Sequence, residues 1–123
     1  SHVVTLEISG AESEQDAFQV ARKIGNSLLV KSSWFGGDPN WGRLVSSAGA
    51  ADARVVEELI DLCYDDVPVL RKGEPLAENK PQWKQVVAKK EFTVRMNLNL
   101  GTGNCRFYAS DLTDAYVQFN KSE

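Results

Sequence analysis

The chain has 123 residues, enough for about one domain with a core of its own. Apolar residues at 42% and charged residues at 25% fit a folded globular protein, and the scatter of Gly, Pro and polar residues argues against a disordered tail. Fourteen Lys and Arg against seventeen Asp and Glu give a formal net charge of -3, which offers no electrostatic footprint for nucleic acid.

No apolar run approaches the ~20 residues a membrane span needs. The opening SHVVTLEIS lacks the charged-then-apolar pattern of a signal peptide. It enters a strand pattern at once, as expected of a segment of a longer chain. Two cysteines, Cys63 and Cys105, are too few for a disulfide framework, so a reducing, cytoplasmic compartment is expected. They are most simply buried apolar residues. His2 is the only histidine and sits at the extreme end, which argues against a Ser-His-Asp relay. His2, Cys63 and Cys105 have no metal-ligand spacing, and neither a metal nor a cofactor is expected.

Val4, Leu6 and Ile8 alternate with Thr5, Glu7 and Ser9, the pattern of a half-buried strand that Gly10 ends. Ser13 and Asp16 form a capping-box pattern. Ala17, Ala21, Ile24 and Leu28 follow at helical spacing, predicting an amphipathic helix over 13–26 that Gly25 or Asn26 can end. Residues 28–35, LLVKSSWF, suggest a second strand. In GGDPNWGR, residues 36–43, Pro39 suits the opening of a helix and Asp38 its cap; Leu44, Val45 and Ala48 continue that helix to Gly49. Residues 54–60 have helical character. Residues 60–64 and 67–71 suggest two short strands around Asp65-Asp66, and 72–75 a turn. Pro81, Trp83, Val86 and Val87 suggest a short helix. Residues 91–100 alternate, with Phe92, Val94, Met96, Leu98 and Leu100 inward. Residues 101–104, GTGN, have the composition of a hairpin turn before a return strand at 105–110. Ser110 or Asp111 then caps an expected last helix bearing Leu112, Tyr116 and Phe119. This order predicts an α+β, mixed two-layer α/β domain.

Several groups suggest chemistry, each with a simpler explanation beside it. FGGDPNWGR suits a concavity of backbone N–H groups that would hold a carboxylate or phosphate. Its local features are met more simply by a structural turn, with Trp41 filling the core and Arg43 paired with Asp38 or another acid. Lys31 would neutralise a substrate carboxylate if it faced inward; the alternation favours solvent. Asp65-Asp66 fits a solvated turn, Lys89-Lys90 the solvated end of an element, and Asp111 and Asp114 a helix N-terminus. Asn120 offers two-way hydrogen bonding to an amino acid, or simply ends a helix.

Two stretches carry a resemblance. LVKSSWFGGDPNWGRLVSSAG, residues 29–49, is similar to the LVK-x-A-x-x-G-x-DPNWGR-I segment of the bifunctional ornithine acetyltransferase (ArgJ) family. LNLGTGNCRFYASDLTDAYVQFN, residues 98–120, resembles that family's LN-x-G…W-x-CDLT-x-x-YV-x-IN ending. The opening residues and DDVPVLRKGEP follow the family pattern in the same order. Tyr108 stands where Trp is common and Ser110 where Cys is common.

The resemblance implies the ArgJ-like, N-terminal-nucleophile-type fold. It also implies a precursor that cuts itself before a threonine, which then carries an acetyl group from N-acetylornithine to glutamate in arginine biosynthesis, with acetyl-CoA a donor in some members. The implied partners are the upstream part of the same second (beta) chain and the first (alpha) chain, in an oligomer of cleaved chains. The implied nucleophile and oxyanion hole lie upstream of residue 1, so no catalytic residue is expected within 1–123. Thr5, Thr93, Thr102 and Thr113 follow no self-cleavage motif. Asn120, by the YV-x-IN match, is the one implied substrate contact. The pattern's continuation, Ala-x-Tyr-x-Thr, has no counterpart after Asn120-Lys121-Ser122-Glu123.

Overall fold

The computed structural model describes residues 2–110 and the backbone of 116–118. Its chain order is β1 (Val3–Ala11), α1 (Glu14–Gly25), α2 (Leu28–Phe35), α3 (Trp41–Gly49), β2 (Asp61–Tyr64), β3 (Val67–Arg71), β4 (Glu74–Pro75), α4 (Lys80–Val87), β5 (Glu91–Asn97), β6 (Gly103–Ser110) and β7 (Tyr116–Gln118). Short 3-10 turns at Glu57–Leu59 and Ala77–Asn79 precede β2 and α4; the first is all that forms of the helical character expected over 54–60.

The strands make one sheet in the order β4-β3-β2-β5-β1-β6-β7. β1 runs parallel to β5 and antiparallel to β6, and the other pairs are antiparallel. One face of the sheet is apolar. Val4, Leu6 and Ile8 of β1 join Val94 and Met96 of β5, Phe107 and Ala109 of β6 and Leu62 of β2 in one buried cluster with residues of all four helices. α1 lies across β6 and β1, α3 rests on α1, and α4 covers β2 and β3. The opposite face carries Thr5, Glu7, Thr93, Arg95 and Arg106, none of them buried. This is the expected mixed two-layer α/β arrangement.

Half of the capping box forms: Ser13 Oγ accepts from Asp16 N–H at 3.0 Å, while the Asp16 carboxylate accepts instead from Arg54 N–H at 3.3 Å; Ala17, Val20, Ala21 and Ile24 are fully buried along one stripe of α1. Strands at 61–64 and 67–71 and the helix around Trp83 also form where the pattern puts them. The 72–75 turn is shorter than expected, because Glu74–Pro75 pairs with β3.

Four expectations are corrected. Residues 28–35 form a helix rather than a strand. Ser27 Oγ accepts from Val30 N–H at 3.2 Å, and Val30, Ser33 and Trp34 bury one helical stripe. Leu28, assigned to the buried stripe of α1, begins this new helix and is 78% exposed. The cap of α3 is Asn40, two residues beyond the expected Asp38; its Oδ1 accepts from Arg43 N–H at 3.3 Å. Residues 116–118 form an edge strand on β6, not part of a helix, and so give β6 a hydrogen-bonding partner on its outer side. The rest of that expected helix, including Leu112 and Phe119, lies outside the described residues.

The fourth correction concerns the hairpin. β5 and β6 are not neighbours, because β1 lies between them. The segment linking them folds over the end of β1: Leu98 N–H donates to Ser9 O at 2.9 Å, and Leu100 and Gly101 N–H donate to Gly10 O at 2.7 and 2.8 Å. The register slips between Ile8 and Ala11, and Gly10 there has φ +68°. A Cβ on Gly10 would collide with Asn97 Oδ1 and lie 2.7 Å from Asn99 N. Gly10→Ala is therefore expected to cost about 2–4 kcal/mol, from the left-handed angle and the collision together. Urea unfolding measures this, and an unchanged midpoint would show that the 98–101 segment does not close on β1.

Candidate functional site

The GGDPNWGR segment forms the corner between α2 and α3. Its backbone donors turn back onto the end of α2: Gly36 N–H donates to Ser32 O at 3.1 Å, Gly37 N–H to Trp34 O at 3.0 Å and Asp38 N–H to Ser33 O at 2.7 Å. These bonds satisfy carbonyls that a helix end leaves open. Pro39 has no N–H, and Arg43 N–H belongs to Asn40. Three donors of the expected concavity thus stabilise the corner, and the first amides of α3, those of Trp41 and Gly42, have no partner within the helix.

The side chains divide between structure and surface. Trp41 is half-buried against the core. Among the described residues Arg43 pairs with no acid; its Nη1 donates to Leu29 O at 3.1 Å and ties the start of α3 to the start of α2. The structural-turn alternative therefore holds for Trp41, and among the described residues neither Asp38 nor another acid partners Arg43. Asp38 is exposed, and its carboxylate makes no hydrogen bond or ion pair among the described residues.

Beneath this corner lies a residue that the sequence pattern does not single out. Tyr64 on β2 is fully buried, and its hydroxyl has no hydrogen-bond partner among the described residues. Burial first, and the negative charge of Asp38 second, raise its pKa above the ordinary 10.0. It therefore stays protonated, a donor held near a carboxylate. In sequence Tyr64 is simply one of several apolar positions in a short strand.

Of the other candidates, His2 reaches Phe35, the residue just before this corner, with ring centroids 5.7 Å apart. Lys31 is half-buried on α2. Cys105 is buried as expected, Cys63 only half so, and both are free thiols on strands that are not neighbours. Burial raises the pKa of each, the opposite of an activated thiolate. Among the described residues no group of His, Cys, Asp and Glu could hold a metal ion, and no helix is long and apolar enough to cross a membrane. Asn120, Asp111 and Asp114 lie outside the described residues.

With this geometry in hand, similarity to known proteins is decisive. The ArgJ family pattern matches residues 1–122. The chain belongs to the ArgJ family. The arginine biosynthesis bifunctional protein ArgJ of Chlorobaculum tepidum is 35% identical over 119 residues, 97% of this chain and 30% of that protein. The glutamate N-acetyltransferase of Methanocaldococcus jannaschii is 35% identical over 121 residues, covering 92% of this chain and 30% of that protein. The crystal structure of the arginine biosynthesis bifunctional protein ArgJ of Bacillus halodurans superposes with a TM-score of 0.86 at 29% identity, over 92% of this chain and 54% of that one. The chain thus spans less than a third of the length of these sequence relatives.

Within this ArgJ-family domain, the paired acids at 65–66 divide: Asp65 is tied into the fold, while Asp66 is solvated as expected. Asp65 caps the β2–β3 turn with φ 53°, accepts from Thr93 N–H at 2.8 Å and pairs with Lys89 at 2.6 Å; Asp66 pairs with Arg95 at 2.8 Å. Lys89 is thus bound rather than merely solvated. Burial pushes the Asp65 carboxyl up, but Lys89, the Thr93 amide and Arg95 outweigh it and hold its pKa below the ordinary 3.8. Asp61 behaves alike: burial raises it, while the Lys72 amide at 2.8 Å, Asn99 at 3.0 Å and the charges of Lys72 and Arg71 bring it lower. A folded pKa below the unfolded one gives stability that is present above the unfolded value and lost as pH falls through the folded value. Urea midpoints are therefore expected to hold down to about pH 5 and fall below about pH 4. Asp65→Asn should lower the neutral-pH midpoint and flatten this acid limb. An acid limb of unchanged slope in that variant would remove Asp65 from the account.

Proposed function

We propose that this chain is the late part of the second chain of a self-cleaving glutamate N-acetyltransferase of arginine biosynthesis. The observation that carries the proposal is the family match from residue 1 to residue 122, with relatives named as the bifunctional ArgJ protein and as glutamate N-acetyltransferase. In this reading the parent enzyme moves an acetyl group from N-acetylornithine to glutamate. A threonine freed by cleavage attacks the acetyl carbonyl, and its own N-terminal amine takes the hydroxyl proton. Backbone and side-chain donors elsewhere in the parent hold the tetrahedral oxyanion. The intermediate collapses to an acetyl–threonine ester as the N-terminal ammonium returns the proton to the departing amine of ornithine; glutamate's amine then attacks that ester, loses its proton and releases the threonine hydroxyl.

Residues 1–123 supply none of those groups, so the segment alone is inactive. Its part is to complete the pocket through Asn120, whose amide can both donate to and accept from a bound amino acid. The upstream part of the second chain and the first chain are its partners, in a cytoplasmic oligomer. Acetyl-CoA is a second acetyl donor if the parent is bifunctional.

The test is made on the natural gene product. Intact mass and N-terminal sequencing should find two co-purifying chains, the second beginning with threonine and containing this sequence. That complex should transfer acetyl from N-acetylornithine to glutamate. Asn120→Ala in it should raise KM by about tenfold, the loss of a hydrogen bond to a charged group. A single chain beginning near Ser1, or a cleaved complex without transfer activity, would overturn the proposal.

A further inference from the structure

The Asp38–Gly42 turn faces α4 across an open groove of about 660 Å³, within the range of small-molecule sites. Asp38, Asn40 and Trp41 line one side, and Lys80, Trp83 and Lys84 the other. Lys80 and Lys84 lie one helical turn apart on α4 and are both exposed. Neither makes an ion pair or hydrogen bond among the described residues, and Asp38 makes none across the groove. Opposite charges therefore line one concavity without neutralising each other.

Two further features favour a ligand between them. α3, nine residues long, begins on this wall, and its first amides carry positive partial charge. Trp83 is fixed by its own bond, Nε1–H to Pro68 O at 2.9 Å, so the α4 wall is held in place from below.

We propose that this groove binds a small zwitterion, its carboxylate held by Lys80, Lys84 and the first amides of α3 and its ammonium by Asp38. A plain anion would meet the repulsion of Asp38, and a plain cation that of both lysines. A molecule bearing both charges on a short scaffold meets neither. The proposal does not rest on the acetyl transfer proposed above, and substitutions at Lys80, Lys84 and Asp38 separate binding in this groove from binding of amino acids elsewhere in the full polypeptide.

The test is calorimetric titration of the full natural polypeptide with unbranched amino carboxylates, from glycine to aminohexanoate, beside acetate and methylammonium. Saturable binding is expected, with one chain length preferred and either single-charge compound at least about tenfold weaker, or about 1.4 kcal/mol. Lys80→Ala combined with Lys84→Ala should weaken binding about tenfold or more, and so should Asp38→Asn. All three residues are exposed, and thermal melts unchanged from the parent would show that the variants fold. Acetate binding as tightly as the best zwitterion would overturn the proposal. So would variants that fold and keep their affinity, or no saturable binding by any member of the series.

Discussion

The placement of β1 between β5 and β6 is the constraint on which this domain depends. The two flanking strands lie about ninety residues further along the chain, so the sheet exists only when the first strand meets the last ones. Such contacts carry a loop-closure cost that must be met before they give any return. The return is burial: Val4, Leu6 and Ile8 are each at most 1% exposed, and a fully buried side chain of this kind is worth about 1.5–3 kcal/mol. The other face of the strand fixes the register. Glu7 stands opposite Arg95 on one side and Arg106 on the other, and pairs with both at 3.0 and 3.4 Å. A slip of one residue would turn Glu7 into the core and the three apolar side chains out.

This dependence explains which parts of the fold were legible from sequence. Alternation marked β1 and β5, because their inward positions repeat every second residue whatever strands they meet. Ser13 and the stripe at Ala17, Ala21 and Ile24 marked α1, because a cap and a helical period are local properties. The supposed hairpin at GTGN was not decidable locally. The same glycines serve a tight turn or a segment that crosses the end of another strand, and only the carbonyls of Ser9 and Gly10 decide between them. Residues 28–35 failed for a different reason. The polar residues of LLVKSSWF, Lys31, Ser32 and Ser33, fall in one block and show no period, so the strand and helix readings compete on equal terms. The decisive signal was the Ser27 cap, one residue before the run.

That error propagated into the site. With 28–35 taken as a strand, the amides of Gly36, Gly37 and Asp38 stand free to hold an anion. With 28–35 helical, the same amides are the natural partners of its last carbonyls. What a glycine-rich corner can bind is therefore set by the element before it. Helices of eight and nine residues are marginal in isolation. Here Ser27 and Asn40 cap them, the corner returns its donors to α2, and Arg43 ties their beginnings together.

Most of DPNWGR is accounted for in this way. Asn40 caps, Arg43 braces, Trp41 packs, and Pro39 brings no donor that would need a partner. Gly42 leaves room beside Asn40 Oδ1, which a Cβ would approach to 3.3 Å. Asp38 remains, since the corner uses its amide and not its carboxylate. The same holds for Tyr64, whose ring would pack equally well as phenylalanine. A buried hydroxyl without a partner costs about 1–3 kcal/mol, so the fold gains nothing by keeping it. The two unexplained groups are electrostatic neighbours, one a proton donor and the other an acceptor. Asp38 lines the groove between the corner and α4 without a partner among the described residues, which leaves its charge available to whatever meets that groove.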